Sequence, residues 1–197
     1  MTKLFQAIVL TVLLTMGGVT QSAEDDLETG ITAFEMQEYD KAVKLIKPLA
    51  EDGIAEAQYF MGTFYYLAAG VKQSDSLAQK WYKLAFDQWY TAAEDGDLDA
   101  MIEVSLMYHA GQGVQINEKN AEKWLQQAIE GGSSRAWSLK GDFCMEGVGT
   151  KPDKDQAKYW YQKAAAQGNK HAEEMLQRLK SKKRTECPIP LDLNGFI

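Results

Sequence analysis

The stretch AEKWLQQAIEGG, residues 121–132, places two alanines, a tryptophan and a closing glycine at a spacing that returns elsewhere in the chain. Residues 157–168, AKYWYQKAAAQG, repeat that spacing 36 residues later. Residues 78–85 carry the alanines and the tryptophan once more. Self-similarity at a fixed period is typical of proteins built from stacked supersecondary units. The period therefore predicts a repeat architecture.

The shared positions extend upstream of this stretch. When Ala57, Ala100 and Ala136 are aligned as position zero, small residues, glycines and aromatic residues coincide down the chain. The coinciding residues are Gly53, Gly96 and Gly132 at −4, Gly62, Ser105 and Gly141 at +5, Tyr65, Tyr108 and Cys144 at +8, Gly70, Gly113 and Gly149 at +13, Ala78, Ala121 and Ala157 at +21, Trp81, Trp124 and Trp160 at +24, and Ala85, Ala128 and Ala164 at +28.

Each class of shared position has a role in a pair of helices. Small residues let two helices approach closely, and the aromatic residues at +8 and +24 are expected to fill the space between successive layers. The glycines at −4 and +13 suit the positive φ of helix ends and turns. One pair cannot bury its apolar face alone, so stacking completes the core. The sequence therefore predicts an all-α fold of stacked helix pairs.

The stretches AQYFMGTFYYLAAGV (57–71), AEKWLQQAIEGG (121–132) and GVGTKPDKDQAKYWYQKAAAQGN (147–169) resemble the Sel-one-like repeat (SLR) family, a branch of the tetratricopeptide (TPR) solenoids. Residues 26–53 resemble a TPR-type helix pair. The resemblance implies a right-handed α-solenoid of antiparallel helix pairs. Its predicted segments are a TPR-like pair at 24–53, SLR units at 54–96, 97–132 and 133–168, a capping helix at 169–182 and a C-terminal tail at 183–197.

Residues 1–23 have the layout of a secretory signal peptide, with Lys3, an apolar run from Ile8 to Met16, and small or polar residues after it. The run is shorter than the roughly 20 apolar residues of a membrane span. We expect cleavage after Ala23, or alternatively after Ser22. The pattern predicts export, with the periplasm as the expected location and the extracellular space as the alternative.

Loss of Lys3 with the signal peptide would change the net charge from −7 to −8. An acidic surface repels nucleic-acid backbones and anionic membranes. We therefore expect no nucleic-acid partner and no stable membrane insertion after cleavage. The basic residues from Arg178 to Arg184 are either a solvated helix end or a docking patch for an acidic partner.

The first SLR unit departs from the pattern because 43 residues separate Ala57 from Ala100. The seven extra residues are close to two helical turns, so they can lengthen the second helix without rotating its buried face. The extension carries Trp89 and Tyr90, which either pack on the neighbouring helix or form a binding ledge.

Two cysteines, Cys144 and Cys187, occur in this chain. An oxidising compartment favours a disulfide between them, which would pin the tail over the last unit. Two unpaired thiols are the alternative.

No constellation of residues points to catalysis. The two histidines, His109 and His171, fall in different units and give no metal-ligand spacing. No nucleophile motif with an adjacent base occurs, and the paired glycines of the loops belong to repeat turns. We therefore predict no catalytic residues, no metal site and no cofactor, and a protein that is not an enzyme.

The resemblance to TPR proteins implies a protein or peptide partner, bound in a concave groove lined by the first helix of each pair. Transferred onto this sequence, the groove residues are Ile31, Phe34, Tyr59, Thr63, Tyr66, Ile102, Leu106, His109, Arg135 and Asp142. The leading hypothesis is an envelope adaptor that scaffolds protein–protein interactions. The alternatives are a periplasmic immunity protein that neutralises a toxic effector and, from another class, an envelope hydrolase. The oligomeric state is not indicated by the sequence.

Overall fold

The computed structural model describes residues 21–181, and the only regular elements in that range are α-helices. None of these helices is long and apolar enough to cross a lipid bilayer. The chain divides between Gln73 and Ser74 into two compact units, called unit 1 and unit 2 below. The predicted signal peptide up to residue 20 and the tail with Cys187 lie outside the described residues.

Unit 1 consists of α1 (Gln21–Glu35), α2 (Tyr39–Glu51) and α3 (Ala55–Leu67), each packed on the next. The close approach of α1 and α2 depends on Gly30, because a Cβ atom there would lie 2.7 Å from Ile46 Cδ1. The predicted cleavage after Ala23 falls in the first turn of α1.

Unit 2 contains α4 (Asp75–Glu94), α5 (Leu98–Ala110), α6 (Glu118–Glu130), α7 (Ser134–Glu146), α8 (Lys154–Ala165) and α9 (Lys170–Ser181). Each helix packs on the next, and α9 also contacts α7. The final helix therefore takes the place that the first helix of a further pair would take. The described part of the chain is therefore all-α and built from paired helices, as predicted.

The extra residues of the first SLR unit lengthen a helix. Helix α4 has 20 residues, whereas α6 has 13 and α8 has 12. The ring of Tyr90 lies 5.6 Å from that of Phe86 and 5.4 Å from that of Trp124, between ring centroids. Tyr90 therefore packs on the neighbouring helix, which favours the packing interpretation over a projecting ledge.

The small residues of the repeat pattern lie in the core, as predicted. Every residue at position 0, +5, +21 and +28 is buried: Ala57, Ala100, Ala136, Gly62, Ser105, Gly141, Ala78, Ala121, Ala157, Ala85, Ala128 and Ala164. Ser105 adds a hydrogen bond, because its Oγ donates to the carbonyl oxygen of Ala121 at 2.7 Å. This bond joins α5 to α6, the first and second helices of one pair.

The glycine prediction is also confirmed, since the residues at −4 and +13 have positive φ. Gly113 shows a second reason for glycine, because a Cβ atom there would lie 2.5 Å from the backbone nitrogen of Lys83. Two non-glycine residues share the left-handed conformation, Gln37 with φ 62° and Ala68 with φ 58°.

The predicted role of the tryptophans needs correction. Trp124 is buried, but Trp81 and Trp160 are only half-buried. The residue after each tryptophan is the more deeply buried one, with Tyr82 at 2% exposure and Tyr161 at 0%. The side chain that fills the core is therefore the one at +25, and the tryptophan lies at the edge of the layer.

Candidate partner-binding surface

The first helices of unit 2 are held in place by side-chain caps. Oδ1 of Asp97 accepts hydrogen bonds from the backbone nitrogens of Asp99 and Ala100, both at 2.9 Å, and begins α5. Oγ of Ser133 accepts from the nitrogen of Ala136 at 3.3 Å and begins α7. Such caps satisfy backbone donors that the helix itself leaves unpaired. They fix where the polar residues of the first turn point.

Three of the predicted groove residues are part of the core instead. Phe34 is 8% exposed, and its ring centroid lies 5.4 Å from that of Phe64 and 6.0 Å from that of Phe60. Ile102 is fully buried and Asp142 is 6% exposed. The prediction that these side chains face a partner is therefore wrong for Phe34, Ile102 and Asp142. Each lies on the side of its helix that the packing covers.

The remaining groove residues of unit 1 keep some exposure. Ile31, Tyr59 and Thr63 are half-buried, and Tyr66 is 57% exposed. Tyr59, Thr63 and Tyr66 follow one another at helical spacing on α3, so they lie on one face of that helix. On this face Tyr66 is the side chain most open to solvent.

Leu106, His109 and Arg135 in unit 2 are all half-buried. Leu106 and His109 lie three residues apart on α5, and Arg135 stands in the first turn of α7. We call these three residues and the two acids that contact them, Glu103 and Glu146, the first-helix face of unit 2. Glu103 and Glu146 were missed by sequence reasoning.

Arg135 joins two successive first helices. Its guanidinium forms an ion pair with Glu103, and its Nη1 lies 3.5 Å from Oδ1 of Asp99. Burial would by itself lower the pKa of Arg135, but the two carboxylates raise it above its ordinary value. The cation is therefore permanent. In the sequence, Glu103 precedes Arg135 by 32 residues, which is four fewer than the 36-residue repeat period.

His109 and Glu146 form a second contact between α5 and α7. Nε2 of His109 lies 3.8 Å from Oε2 of Glu146, and the histidine ring stacks near Phe143 at 5.1 Å between centroids. Burial lowers the pKa of His109, and burial together with Asp142 raises the pKa of Glu146 to about 7. Both shifts favour the uncharged forms, so the contact is not a fixed ion pair at neutral pH.

Asp142 is the centre of a buried polar network. Oη of Tyr161 donates to its Oδ1 at 2.6 Å, and Nε2 of His171 lies 3.2 Å from both carboxylate oxygens. The hydrogen bond to Asp142 raises the pKa of His171, against the effect of burial. Burial raises the pKa of Tyr161, followed by the charge of Asp142. The network ties α7 to α8 and α9.

This network is positioned for stability rather than for chemistry. Tyr161 is fully buried and both oxygens of Asp142 are occupied by the neighbouring side chains. A catalytic group must reach the proton it transfers in a bound substrate. Across residues 21–181, no group of three His, Cys, Asp or Glu side chains is arranged to hold a metal ion.

A shallow depression in unit 2 lies beside the loop between α5 and α6. It is lined by Gln79, Gly111, Gly113 and Ile116, among others. Gln79 uses both ends of its amide there, donating to the carbonyl of Gly111 at 3.2 Å and accepting from the nitrogen of Gly113 at 2.8 Å. The polar atoms of Gln79 therefore serve to hold the loop.

Cys144 is half-buried on α7 and packs against the core cluster around Tyr161. Burial raises the pKa of its thiol. Its predicted bridge to Cys187 stays a prediction, because Cys187 lies outside the described residues.

Comparison with known proteins places this chain beside Sel1 repeat proteins. The Sel1 repeat model matches residues 55–88, 98–133 and 141–169. The crystal structure of a Sel1 repeat protein from Oxalobacter formigenes is 34% identical, with a TM-score of 0.41, and the match covers 68% of this chain and 95% of that chain. None of the curated proteins matches this chain.

A second solved structure is that of a protective antigen present in uropathogenic Escherichia coli strains, which displays an SLR fold. It is 32% identical with a TM-score of 0.47, and the match covers 82% of this chain but only 34% of that chain. The repeat positions in the sequence, the helix pairs and the three matched repeats agree, and the chain belongs to the Sel1 repeat family.

Proposed function

We propose that this protein is an exported scaffold that binds a protein or peptide partner on the exposed side of its first helices. Sel1 repeat proteins generally mediate protein–protein interactions. The observation that carries the proposal is the first-helix face of unit 2. Its side chains Leu106, His109 and Arg135 stay half-exposed on helices whose other sides are closed by packing.

The chemistry of this face suits recognition of a polypeptide. Arg135 is held by two carboxylates on the neighbouring helix, so its guanidinium has a defined orientation. Leu106 supplies an apolar contact one turn before His109. An arginine that is already held in place suits an interface, because arginine is enriched among hot-spot residues and ordering it in advance lowers the cost of binding.

We also propose that the protein acts outside the cytoplasm, in the bacterial envelope. The proposal rests on the signal-peptide layout of residues 1–23. It predicts a processed protein in the periplasmic fraction, whose first residue is Glu24 when determined by mass spectrometry. An unprocessed chain in the cytoplasmic fraction would refute it.

We infer that binding, rather than catalysis, is the activity of this chain. The Sel1 repeat family is typically a non-enzymatic scaffold fold. The one buried cluster that resembles a reactive arrangement, around Asp142, has its carboxylate oxygens occupied by Tyr161 and His171. Sustained turnover of a cell-wall or lipid substrate by the purified protein would overturn this inference.

The binding proposal is tested by affinity capture from envelope extract. The wild type is compared with Leu106→Ala/His109→Ala, which removes contacts on the first-helix face, and with Tyr159→Ala, which removes an exposed side chain of a second helix. We expect the double variant to lose the captured protein and the control to retain it, with both variants showing a wild-type circular-dichroism spectrum. Equal capture by all three proteins would refute binding at the first-helix face of unit 2.

A further inference from the structure

Unit 1 exposes apolar side chains at one end. Of the large hydrophobic residues there, Met36 is 66% exposed, Tyr66 57%, Leu67 55% and Tyr39 37%. We call these four residues the aromatic end of unit 1. Exposed apolar area gathered in one place marks binding surfaces more often than scattered single residues do.

The four residues lie at the same end because the last turn of α3 meets the corner between α1 and α2. A Cβ atom on Gly70 would lie 2.7 Å from the carbonyl oxygen of Tyr39. The ring of Phe34 lies 5.8 Å from that of Tyr39 and 5.4 Å from that of Phe64, between centroids. The exposed residues therefore surround a buried aromatic cluster.

Leu67 continues a stripe that is otherwise buried. Phe60, Phe64 and Leu67 are spaced by four and three residues, so they lie on one face of α3. Phe60 and Phe64 are buried at 2% and 0%, whereas Leu67 reaches past the core into solvent. The aromatic end thus extends the hydrophobic core outward.

The backbone at this end holds conformations that its residues disfavour. Gln37 at the α1–α2 corner and Ala68 after α3 are the non-glycine residues with positive φ in the described part of the chain. The equivalent helix ends in unit 2 use glycine, at Gly111 and Gly147. Strained backbone concentrates at functional sites. The strain at both corners coincides with the exposed apolar residues.

The charge around the aromatic end is acidic. At the corner between α1 and α2, residues 35–41 carry three acids, Glu35, Glu38 and Asp40, and one lysine, Lys41. Asp40 follows directly after Tyr39, and among residues 21–181 no cation lies within ion-pair distance of Glu35 or Asp40. Glu38 is paired with Lys41 at 3.1 Å. Anionic lipid would be repelled here, whereas a basic segment would be attracted.

We propose that the aromatic end of unit 1 docks a segment of a partner protein in which apolar side chains are flanked by lysine or arginine. The apolar residues of that segment would cover Tyr66 and Leu67, and its cations would face Glu35 and Asp40. This proposal rests on the proposed function, because it assumes a protein partner, but it concerns a surface separate from the first-helix face of unit 2.

The test measures binding of short synthetic peptides by fluorescence anisotropy. The first peptide has leucines spaced to form one helical face with lysines beside them, the second has glutamates in place of the lysines, and the third has the sequence of residues 182–197. We expect the lysine peptide to bind tightest, with an affinity that falls as salt rises. Tyr66→Ala/Leu67→Ala should weaken it about tenfold, as expected for loss of anchoring side chains.

Tyr159→Ala/Leu84→Ala is the matched control, since these residues of unit 2 are 55% and 49% exposed. It should leave the affinity unchanged. Glu35→Lys/Asp40→Lys keeps the apolar residues and should reverse the preference toward the glutamate peptide, which tests the proposal even if the first variant fails to fold.

Equal binding of the lysine and glutamate peptides, or equal weakening by the control, would overturn the proposal. So would tightest binding of the peptide 182–197, which would make the chain's own tail the occupant, or binding of anionic vesicles that depends on Tyr66 and Leu67. Loss of captured protein in Leu106→Ala/His109→Ala with no effect of Tyr66→Ala/Leu67→Ala would refute this inference while leaving the proposed function intact.

Discussion

Replacing Gly141 by alanine tests whether close helix approach holds the last repeat together. Gly141 is buried on α7, and a Cβ atom there would lie 2.5 Å from Cε1 and 2.6 Å from Cδ1 of Tyr161. These distances are about 1 Å shorter than favourable contact between carbon atoms. Tyr161 cannot swing away easily, because it is fully buried and bonded to Asp142 at 2.6 Å.

Two opposing effects set the size of the change. Alanine is favoured over glycine in a helix by about 1 kcal/mol. Overpacking of a filled core costs about 1–3 kcal/mol, and weakening a hydrogen bond to a charged group adds about 1.5–3 kcal/mol. The clash at Tyr161 therefore wins, and we expect Gly141→Ala to lower the free energy of unfolding by about 2 kcal/mol. For a chain of this size the melting temperature should fall by about 4–8 °C.

A double-mutant cycle with Tyr161→Ala isolates the clash. Without the ring, Gly141→Ala should be neutral or stabilising by about 1 kcal/mol, so the coupling energy should be about 2–3 kcal/mol. Ser105→Ala, at the same position of the preceding repeat, is the control. It loses one hydrogen bond and should cost about 1 kcal/mol without coupling to Tyr161. Urea unfolding followed by circular dichroism gives all four energies. An equal effect of Gly141→Ala in both backgrounds would refute the reasoning.

Three further measurements follow from the side chains of α7 and α9. Asp142 raises the pKa of His171 above its ordinary value of 6.5. The protonated histidine therefore contributes its full stabilisation below pH 6.5 and loses it as the pH rises through the raised pKa. In urea unfolding, His171→Gln should lower the free energy of unfolding more at about pH 5.5 than at about pH 8.5. The pKa of Glu146 is raised from 4.5 to about 7, so wild-type stability should fall between those pH values. Glu146→Gln should abolish that fall and unfold at higher urea than wild type above pH 7, whereas a parallel pH dependence of both proteins would contradict it. If Cys144 and Cys187 are bridged, the intact mass should rise on reduction by two hydrogen atoms, and an unchanged mass would exclude the bridge.

The helix pairs could be predicted because their determinants recur within the chain. A small residue such as Ala121 or Gly141 is required wherever two helix backbones come close, and the requirement returns with every repeat. Glycine at Gly96 or Gly132 is required by a positive φ at the start of the next helix. These constraints are local or periodic, so they are visible in the sequence before any packing is known.

The aromatic side chain that fills the core of each repeat could not be assigned in the same way. Trp160 and Tyr161 are adjacent aromatic residues, and only the rotation of α8 decides which of them enters the core. A tryptophan is a more conspicuous marker of the repeat, but the deeper position belongs to Tyr161. Rotation of a helix by one residue is set by tertiary packing, which the spacing of the pattern does not specify.

The groove prediction failed where the same ambiguity recurs on first helices. Ile102 and Leu106 are both apolar and lie one turn apart on α5, yet Ile102 is fully buried and Leu106 is half-exposed. The pairs between Arg135 and Glu103 and between His109 and Glu146 were missed for a related reason. Each joins residues of different repeats, so the pattern within a single repeat does not predict the contact.

Helix α9 of unit 2 and the aromatic end of unit 1 expose different kinds of side chain to solvent. In unit 2, α9 closes the array with a buried side of Ala172 and Met175 and an exposed side of Glu173 and Glu174. Asp142 on α7 contacts His171 of this helix at 3.2 Å. A terminal unit with a polar outer face is what a repeat array needs for solubility.

The aromatic end of unit 1 exposes large apolar side chains beside its acidic residues. Tyr66 and Leu67 are exposed there, and Ala68 has a positive φ where the equivalent helix ends of unit 2 have Gly111 and Gly147. Selection for stability alone would favour glycine at Ala68 and polar residues beside it. Stability therefore does not account for this end of unit 1, whereas docking of the proposed partner segment would, because binding would bury the exposed apolar side chains.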